Sequence, residues 1–393
     1  MTCSYAGGTM FGFCHGGACL TTLDQCGDGV PSLALGELCD CGTNDVLAAP
    51  PPGCNGFNST ASNATCRPDC TSAHCGDGIV DSDSEVCDDG NAISGDGCRS
   101  DCAGRFELMQ TPTAEDLNGV WTSGPSEAYA VGAGGAAIYY DGTTWSPVTL
   151  GTTKELYAVY GIGTDIYIGG DGGAWLGQGA AGVWAPLPLS PAPVRVSGIW
   201  ASDPNDVYLA GFSASGPDLY HWDGASWTTY APGSCSATTF VSVAGSSATD
   251  VYVAGTSGTP ASGPVSFDVC HFDGVTWSAV TSVPNTGMLI TSTMSVDATA
   301  GYAMINVGTA TTLLTLTPTN AKTSLPPGDL RSLAITGSRE LLTVGYNGVA
   351  LSLDRSGGAW THLLTPTTLE LMGVAASSPS NVFVVGLSGT VLH

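Results

Sequence analysis

The sequence predicts an all-β protein: a seven-bladed β-propeller whose last blade is completed by an N-terminal strand, preceded by a small disulfide-rich domain. Three observations predict it. Thirteen of the 15 cysteines stand before residue 103. From residue 106 onward one pattern returns seven times, at spacings of 39 to 50 residues, as repeat architectures do. With 11% charged residues and 55 glycines, the chain suits short strands and tight turns better than long salt-bridged helices.

The cysteines come first along the chain. At this density they are held as disulfides in an oxidising compartment, or as thiolates on a metal in a reducing one. Zinc knuckles favour Cys-x2-Cys, whereas the recurring spacing here is Cys-x3-Cys, at Cys66/Cys70 and Cys98/Cys102. Disulfides are therefore expected, and with them secretion or display on the outer cell surface. No secretory signal precedes Cys3, and thirteen is an odd number. Both features are expected of a fragment or mature form, with a partner for Cys3, Cys14 or Cys19 upstream of Met1.

Residues 1–25 read as a partial cysteine-rich segment, and 26–74 and 75–105 as two copies of one repeat. Cys26-Gly-Asp-Gly leads to Glu37-Leu-Cys39-Asp40 and then Cys66-x3-Cys70; Cys75-Gly-Asp-Gly leads to Glu85-Val-Cys87-Asp88 and then Cys98-x3-Cys102. The first copy carries an insertion with Cys41 and Cys54, which are expected to pair with each other. Four cysteines in each copy leave three connectivities open. In the second copy Asp88, Asp89, Asn91 and Asp96 put four oxygen-bearing side chains into nine residues, the chemistry of a Ca2+ loop. The structural alternative is that the same residues cap turns between disulfides.

The run Cys87-Asp-Asp-Gly-Asn-Ala-Ile-Ser-Gly-Asp-Gly-Cys98 resembles the myxobacterial cysteine-rich repeat, and the resemblance spans residues 26–102. It implies a secreted or surface protein with tandem copies of the repeat beside other extracellular domains. A more distant similarity to Notch-type cysteine repeats implies bound calcium.

Residues 106–393 form the propeller. Each unit opens on an apolar anchor: Leu117, Leu156, Val196, Phe240, Ile290, Leu330 and Leu371. About twelve positions on stands Tyr129, Tyr167, Tyr208, Tyr252, Tyr302, Leu342 or Phe383, followed after three residues by glycine, except in the fifth unit, where Ile305 takes its place. Four short strands per unit follow from the turn residues. The third turn is explicit in Asp141-Gly142, Asp223-Gly224 and Asp273-Gly274, each separated from a tryptophan by two residues, because Asp-Gly accepts the positive φ of tight hairpins. The seventh unit ends after its third strand, and Phe106–Thr111 is spaced from Gly119 as Trp360–Thr365 is from Gly373. The N-terminal strand is thus expected to close the ring and remove an open sheet edge. The Asp-Gly-x-x-Trp turns resemble a shortened Asp-box of sialidase-type propellers, where that box is structural. The propeller is expected to be of the myxobacterial secreted type.

Function is constrained mainly by exclusion. A net charge of −25 repels phosphate backbones and anionic lipid, so nucleic acid is not an expected partner, and no apolar run is long enough to form a transmembrane segment. Sialidase-type chemistry needs arginines converging on a carboxylate, but Arg195, Arg331, Arg339 and Arg355 are poorly distributed for it. His221 and His271 occupy equivalent positions in different blades and are expected to pack, not to share a metal. The favoured reading is an extracellular or cell-surface binding or adhesion module, not an enzyme, recognising protein or polysaccharide through a propeller face. The residues singled out are Phe212, Tyr230 and Phe267, beside a loop pinned by a Cys235–Cys270 disulfide. Its rivals are a glycan-acting hydrolase or lyase using Asp165, Asp250 or Asp297, and a structural subunit of a surface assembly.

Overall fold

The computed structural model describes the chain except for residues 1, 6–7, 12–13, 16–17, 20–25, 28, 32–36, 45–46, 82, 86, 89, 93–97, 103, 179–181, 231–236, 258–264, 286–291, 308–309, 317–321, 325–328 and 358. It divides into two compact units, Met1–Arg105 and Phe106–His393.

The first unit is held by disulfides. Cys26 pairs with Cys70, Cys39 with Cys66, and Cys41 with Cys54; in the second copy Cys75 pairs with Cys102 and Cys87 with Cys98. The insertion pair Cys41–Cys54 is as the sequence predicts. The two copies share one connectivity, so Cys39–Cys66 and Cys87–Cys98 are equivalent bonds. Arg67 of the first copy is buried and bonds Asp77 and Asp81 of the second, at 2.6 and 2.7 Å.

The second unit is a seven-bladed propeller of antiparallel sheets with sequential strand order. Blade 3 is representative: Pro193–Asp203, Asp206–Ser213, Gly216–Trp222 and Trp227–Tyr230 lie side by side, the first innermost. Blade 7 has only three strands in sequence, Leu371–Ser378, Asn381–Gly386 and Val391–Leu392. Its fourth is Phe106–Met109. The Glu107 N–H donates to His393 O (2.8 Å), His393 N–H returns to Glu107 O (3.0 Å), and Met109 N–H donates to Val391 O (2.9 Å).

The core confirms closure. Among the described residues seven apolar clusters lie in the propeller, one between each pair of neighbouring blades, and one of them joins blade 7 to blade 1 through Phe383, Val385, Leu117 and Ile138. An open arc of seven blades would have six. The anchors Leu117, Leu156, Val196, Leu330 and Leu371 are all fully buried and Phe240 nearly so. Each such side chain contributes roughly 1.5–3 kcal/mol. Ile290 lies outside the described residues.

The repeated glycine has a steric cause. A Cβ at Gly132 would sit 1.8 Å from Asp116 O, and the same clash recurs at Gly211, Gly255, Gly345 and Gly386 against the carbonyl preceding each anchor. Those blades carry a register shift just after the anchor. Blade 5 runs Ser292–Val296 against Gly301–Ile305 without one, and so tolerates Ile305.

A second repeated device rivets the first three strands of a blade. In blade 3 Ser202 Oγ donates to Asp206, Asp206 Oδ1 lies 2.7 Å from His221 Nε2, and His221 stacks on Tyr208 at 4.3 Å. Ser246, Asp250, His271 and Tyr252 repeat this in blade 4; in blade 7 Asn381 Nδ2 donates to Ser377 Oγ, Asn381 Oδ1 lies 2.9 Å from His393 Nε2, and His393 stacks on Phe383. Each histidine serves its own blade.

Candidate functional site

The first strand of every blade begins on one face of the ring. Connections between blades and the turns from second to third strand therefore emerge on that connector face. The tight turns, including Asp141-Gly142, emerge on the opposite turn face.

The first strands enclose a central cavity of about 680 Å3. At mid-depth it is lined by one apolar residue from each blade: Val120, Val159, Ile199, Val243, Met294, Leu333 and Val374. Its rim on the connector face is polar. Arg195 Nε bonds Asp171 at 2.8 Å while its guanidinium stacks 4.2 Å over Tyr157. Arg331 bonds Glu370 of the next blade through Nε and reaches Asp329 at 3.4 Å, and Asn118 donates to Glu155 at 2.9 Å. Each contact spans neighbouring blades or a blade and its connector, so the rim is rigid. Volumes of this size, apolar inside with a few fixed polar groups, are typical of ligand sites.

Large apolar side chains are also exposed on the connector face. Tyr346, Leu364 and Leu369 are 51%, 61% and 40% exposed. The Tyr346–Gly348 turn rests on the connector that carries both leucines: Thr365 Oγ1 donates to Gly348 O at 2.6 Å, and Tyr346 N–H donates to Asp329 O at 2.8 Å. Exposed aromatic and aliphatic groups around a fixed arginine have the composition of protein-binding hot spots. The sequence pattern locates these positions, next to an anchor or in a turn, but does not say that their side chains stand clear of the surface.

The residues singled out from sequence fare unevenly. Tyr230 is exposed at the end of the outer strand of blade 3, with its ring 5.3 Å from His221. Phe212 is half-buried on the second strand, opposite Arg195. Phe267 is a correction: it is fully buried between blades 4 and 5. The described residues of the insertion are strand, since Asp250–Ser257 and Val265–Phe272 pair through Thr256 and Phe267, and alternation turns the phenyl ring into the core. Cys270 is buried and disulfide-bonded; Cys235 lies outside the described residues.

Asp89 and Asp96 of the expected calcium set also lie outside the described residues. Asp88 is committed elsewhere. Its Oδ2 accepts the Gly76 and Asp77 N–H groups and its Oδ1 those of Gly78 and Gly90, at 2.8–3.1 Å. Asp40 does the same in the first copy, accepting Gly27, Gly29 and Gly42 N–H and the Asn58 amide. Glu85, Asp88 and Cys102 lie close enough together to hold an ion, but Cys102 is oxidised in its bond to Cys75 and supplies no thiolate. The described contacts of Asp88 are those of a backbone cap, which accounts for its carboxylate without an ion. Chelation with EDTA is expected to leave the melting temperature unchanged. A site with calcium at a thousandfold excess over its Kd would add about 4 kcal/mol, and a melting point that falls on chelation and recovers with calcium would reverse this conclusion.

The carboxylates of the enzymatic alternative do not meet. Asp250 is taken by His271 and Asp297 by Arg355, whose cation holds that carboxyl well below its usual range despite partial burial. None of Asp165, Asp250 and Asp297 is among the described residues lining the central cavity.

No family model matches the chain, and no curated protein sequence matches it. Solved propellers do match in structure. YCF48 bound to D1 peptide is 18% identical, with a TM-score of 0.55 over 73% of this chain and 95% of the other. The extracellular domain of the putative one component system BT4673 from B. thetaiotaomicron is 15% identical, with a TM-score of 0.57 over 74% of this chain and 40% of the other. Streptogramin B lyase is 11% identical, with a TM-score of 0.53 over 73% of this chain and 97% of the other. At these identities the likeness is one of fold.

Proposed function

We propose that this protein is an extracellular or cell-surface binding module that recognises a protein segment on the connector face of its propeller. One observation carries the proposal: the connector face combines an open apolar-walled cavity, arginines fixed at its rim, and exposed Tyr346, Leu364 and Leu369. On the turn face the described polar groups are largely consumed in turns, as at Asp141, Asp223 and Asp273, whose carboxylates accept the N–H groups two and three residues on. Disulfide pairing supports an oxidising compartment. That one structurally similar propeller is described as bound to a peptide and another as an extracellular domain supports the same reading.

Peptide and polysaccharide arrays followed by hydrogen exchange test it. A retained peptide is expected to slow amide exchange in residues 329–331, 346–349 and 364–371. Protection confined to 141–144, 223–226 and 273–276, or retention of polysaccharide alone, would overturn the proposal.

A further inference from the structure

The geometry points to one class of occupant for the connector face at blades 6 and 7: an extended protein segment with apolar anchor residues flanked by lysine or arginine. The inference rests on the reading of the connector face as the binding face.

The apolar part follows from Tyr346, Leu364 and Leu369. These three side chains belong to one turn and the connector beneath it, and they stay exposed although neighbouring Leu363 packs against the blade 6–7 cluster and Leu371 is fully buried. Leaving apolar groups in water is unfavourable in proportion to their exposed area, so three on one turn and its connector mark a surface that something covers.

The charge of the occupant follows from what surrounds them. Among the described residues of the connectors and the second-to-third-strand turns, Glu115, Asp116, Glu155, Asp171, Asp329 and Glu370 stand against Lys154, Arg195 and Arg331. Around the patch itself Arg331 is shared between Glu370 and Asp329, which leaves one carboxylate in excess, and Asp329 is 37% exposed. A chain of net charge −25 adds a long-range field of the same sign, which raises the encounter rate of a basic partner and slows that of an acidic one. Arg331, held by two acids, is a fixed rim on which the partner's backbone carbonyls or an aromatic side chain can rest, not a free anion hook. Apolar anchors would then supply affinity and flanking cations orientation.

The test compares binding of fluorescent synthetic peptides of alternating leucine and lysine, leucine and glutamate, and serine and lysine to the full oxidised chain, by anisotropy at low and physiological salt. The leucine–lysine peptide is expected to bind most tightly. Leu364→Asp and Tyr346→Ala should each weaken it by about tenfold or more, the scale of a lost interface anchor. Val275→Asp, a still more exposed apolar site on the turn face at 84% exposure, should leave it within about twofold, as surface changes away from an interface do. Unchanged melting temperatures would show that the variants fold. Tighter binding of the leucine–glutamate peptide, still sensitive to Leu364→Asp, would overturn the charge assignment and keep the binding face. Equal binding of the serine–lysine peptide would reduce the effect to bulk charge and overturn the apolar anchor. Binding insensitive to both connector-face variants but lost in Val275→Asp would overturn the reading of the face itself, and no binding of any peptide would overturn this inference.

Discussion

Phe106→Ala is expected to open the ring at a single seam. Phe106 is 2% exposed and packs with Leu371, Val374, Val382, Val384 and Leu392 of blade 7 and with Leu342 and Val344 of blade 6. Removing a buried phenyl ring costs about 3–5 kcal/mol. The same strand is held by three backbone hydrogen bonds, the Trp145 Nε1–H to Met109 Sδ contact at 3.4 Å, and Thr111 Oγ1 donating to Gly389 O at 2.8 Å. Native-state hydrogen exchange of blade 7 amides, Val382 to Leu392, should therefore accelerate well before that of blades 2 to 4. Leu108→Ala, at a position 48% exposed, should cost less than about 1 kcal/mol. Equal acceleration in every blade after Phe106→Ala would show that the ring melts as one cooperative unit and that the seam is no weaker than the rest.

The second large effect is expected at Asp40. Its side chain gathers three backbone N–H groups and the Asn58 amide, and the residue is 3% exposed. Asp40→Ala strands these donors, and with each buried unsatisfied group costing about 1–3 kcal/mol the total should reach about 3 kcal/mol or more, comparable to losing a disulfide. Faster exchange of the amides of Gly27, Gly29 and Gly42 would report it. The sign of the pH dependence follows from the same contacts. Burial opposes the charged form of Asp40, but the hydrogen bonds from Gly42, Gly29, Asn58 and Gly27 outweigh it, and the carboxyl titrates below its usual range. Asp88 shifts in the same direction through Gly90, Gly78, Gly76 and Asp77, again against desolvation. In the unfolded chain these groups take up protons near pH 4, before the folded protein does. Their contribution is therefore complete above that pH and is lost as pH falls through the folded values. Acid should unfold the cysteine-rich unit with a slope that Asp40→Asn flattens. A slope unchanged by that substitution would assign acid lability to other carboxylates.

The architecture was legible in the sequence because a propeller is periodic. Anchors, second-strand aromatics and Asp-Gly turns recur at fixed offsets, and the missing strand of the seventh unit could be matched to Phe106–Thr111 by counting. What period cannot convey is which side of a strand faces water once an insertion shifts the ladder. The insertion in blade 4 hides the pleat of Phe267 for that reason, and pairing with Thr256 and Val283 turns it inward. Asp88 shows a different limit: the carboxylate that caps four backbone amides is chemically the one that would bind calcium, and the positions of Gly76, Gly78 and Gly90 that make it a cap are set only by the fold. The exposed patch was invisible for a third reason. Tyr346 occupies the turn position held by Ala133 in blade 1 and Leu387 in blade 7, so the repeat identifies the place but not the departure from it.

The described disulfides carry one more consequence. Every one closes within its own repeat, across 11 to 44 residues, and none joins the first copy to the second. A chain emerging from its N-terminus into an oxidising space can complete each knot as it appears, with no need to await later sequence. Propeller closure cannot proceed in that way, because Leu108 meets Leu392 only when the whole chain is present. On oxidative refolding, the knots of residues 26–102 are thus expected to form independently of propeller closure.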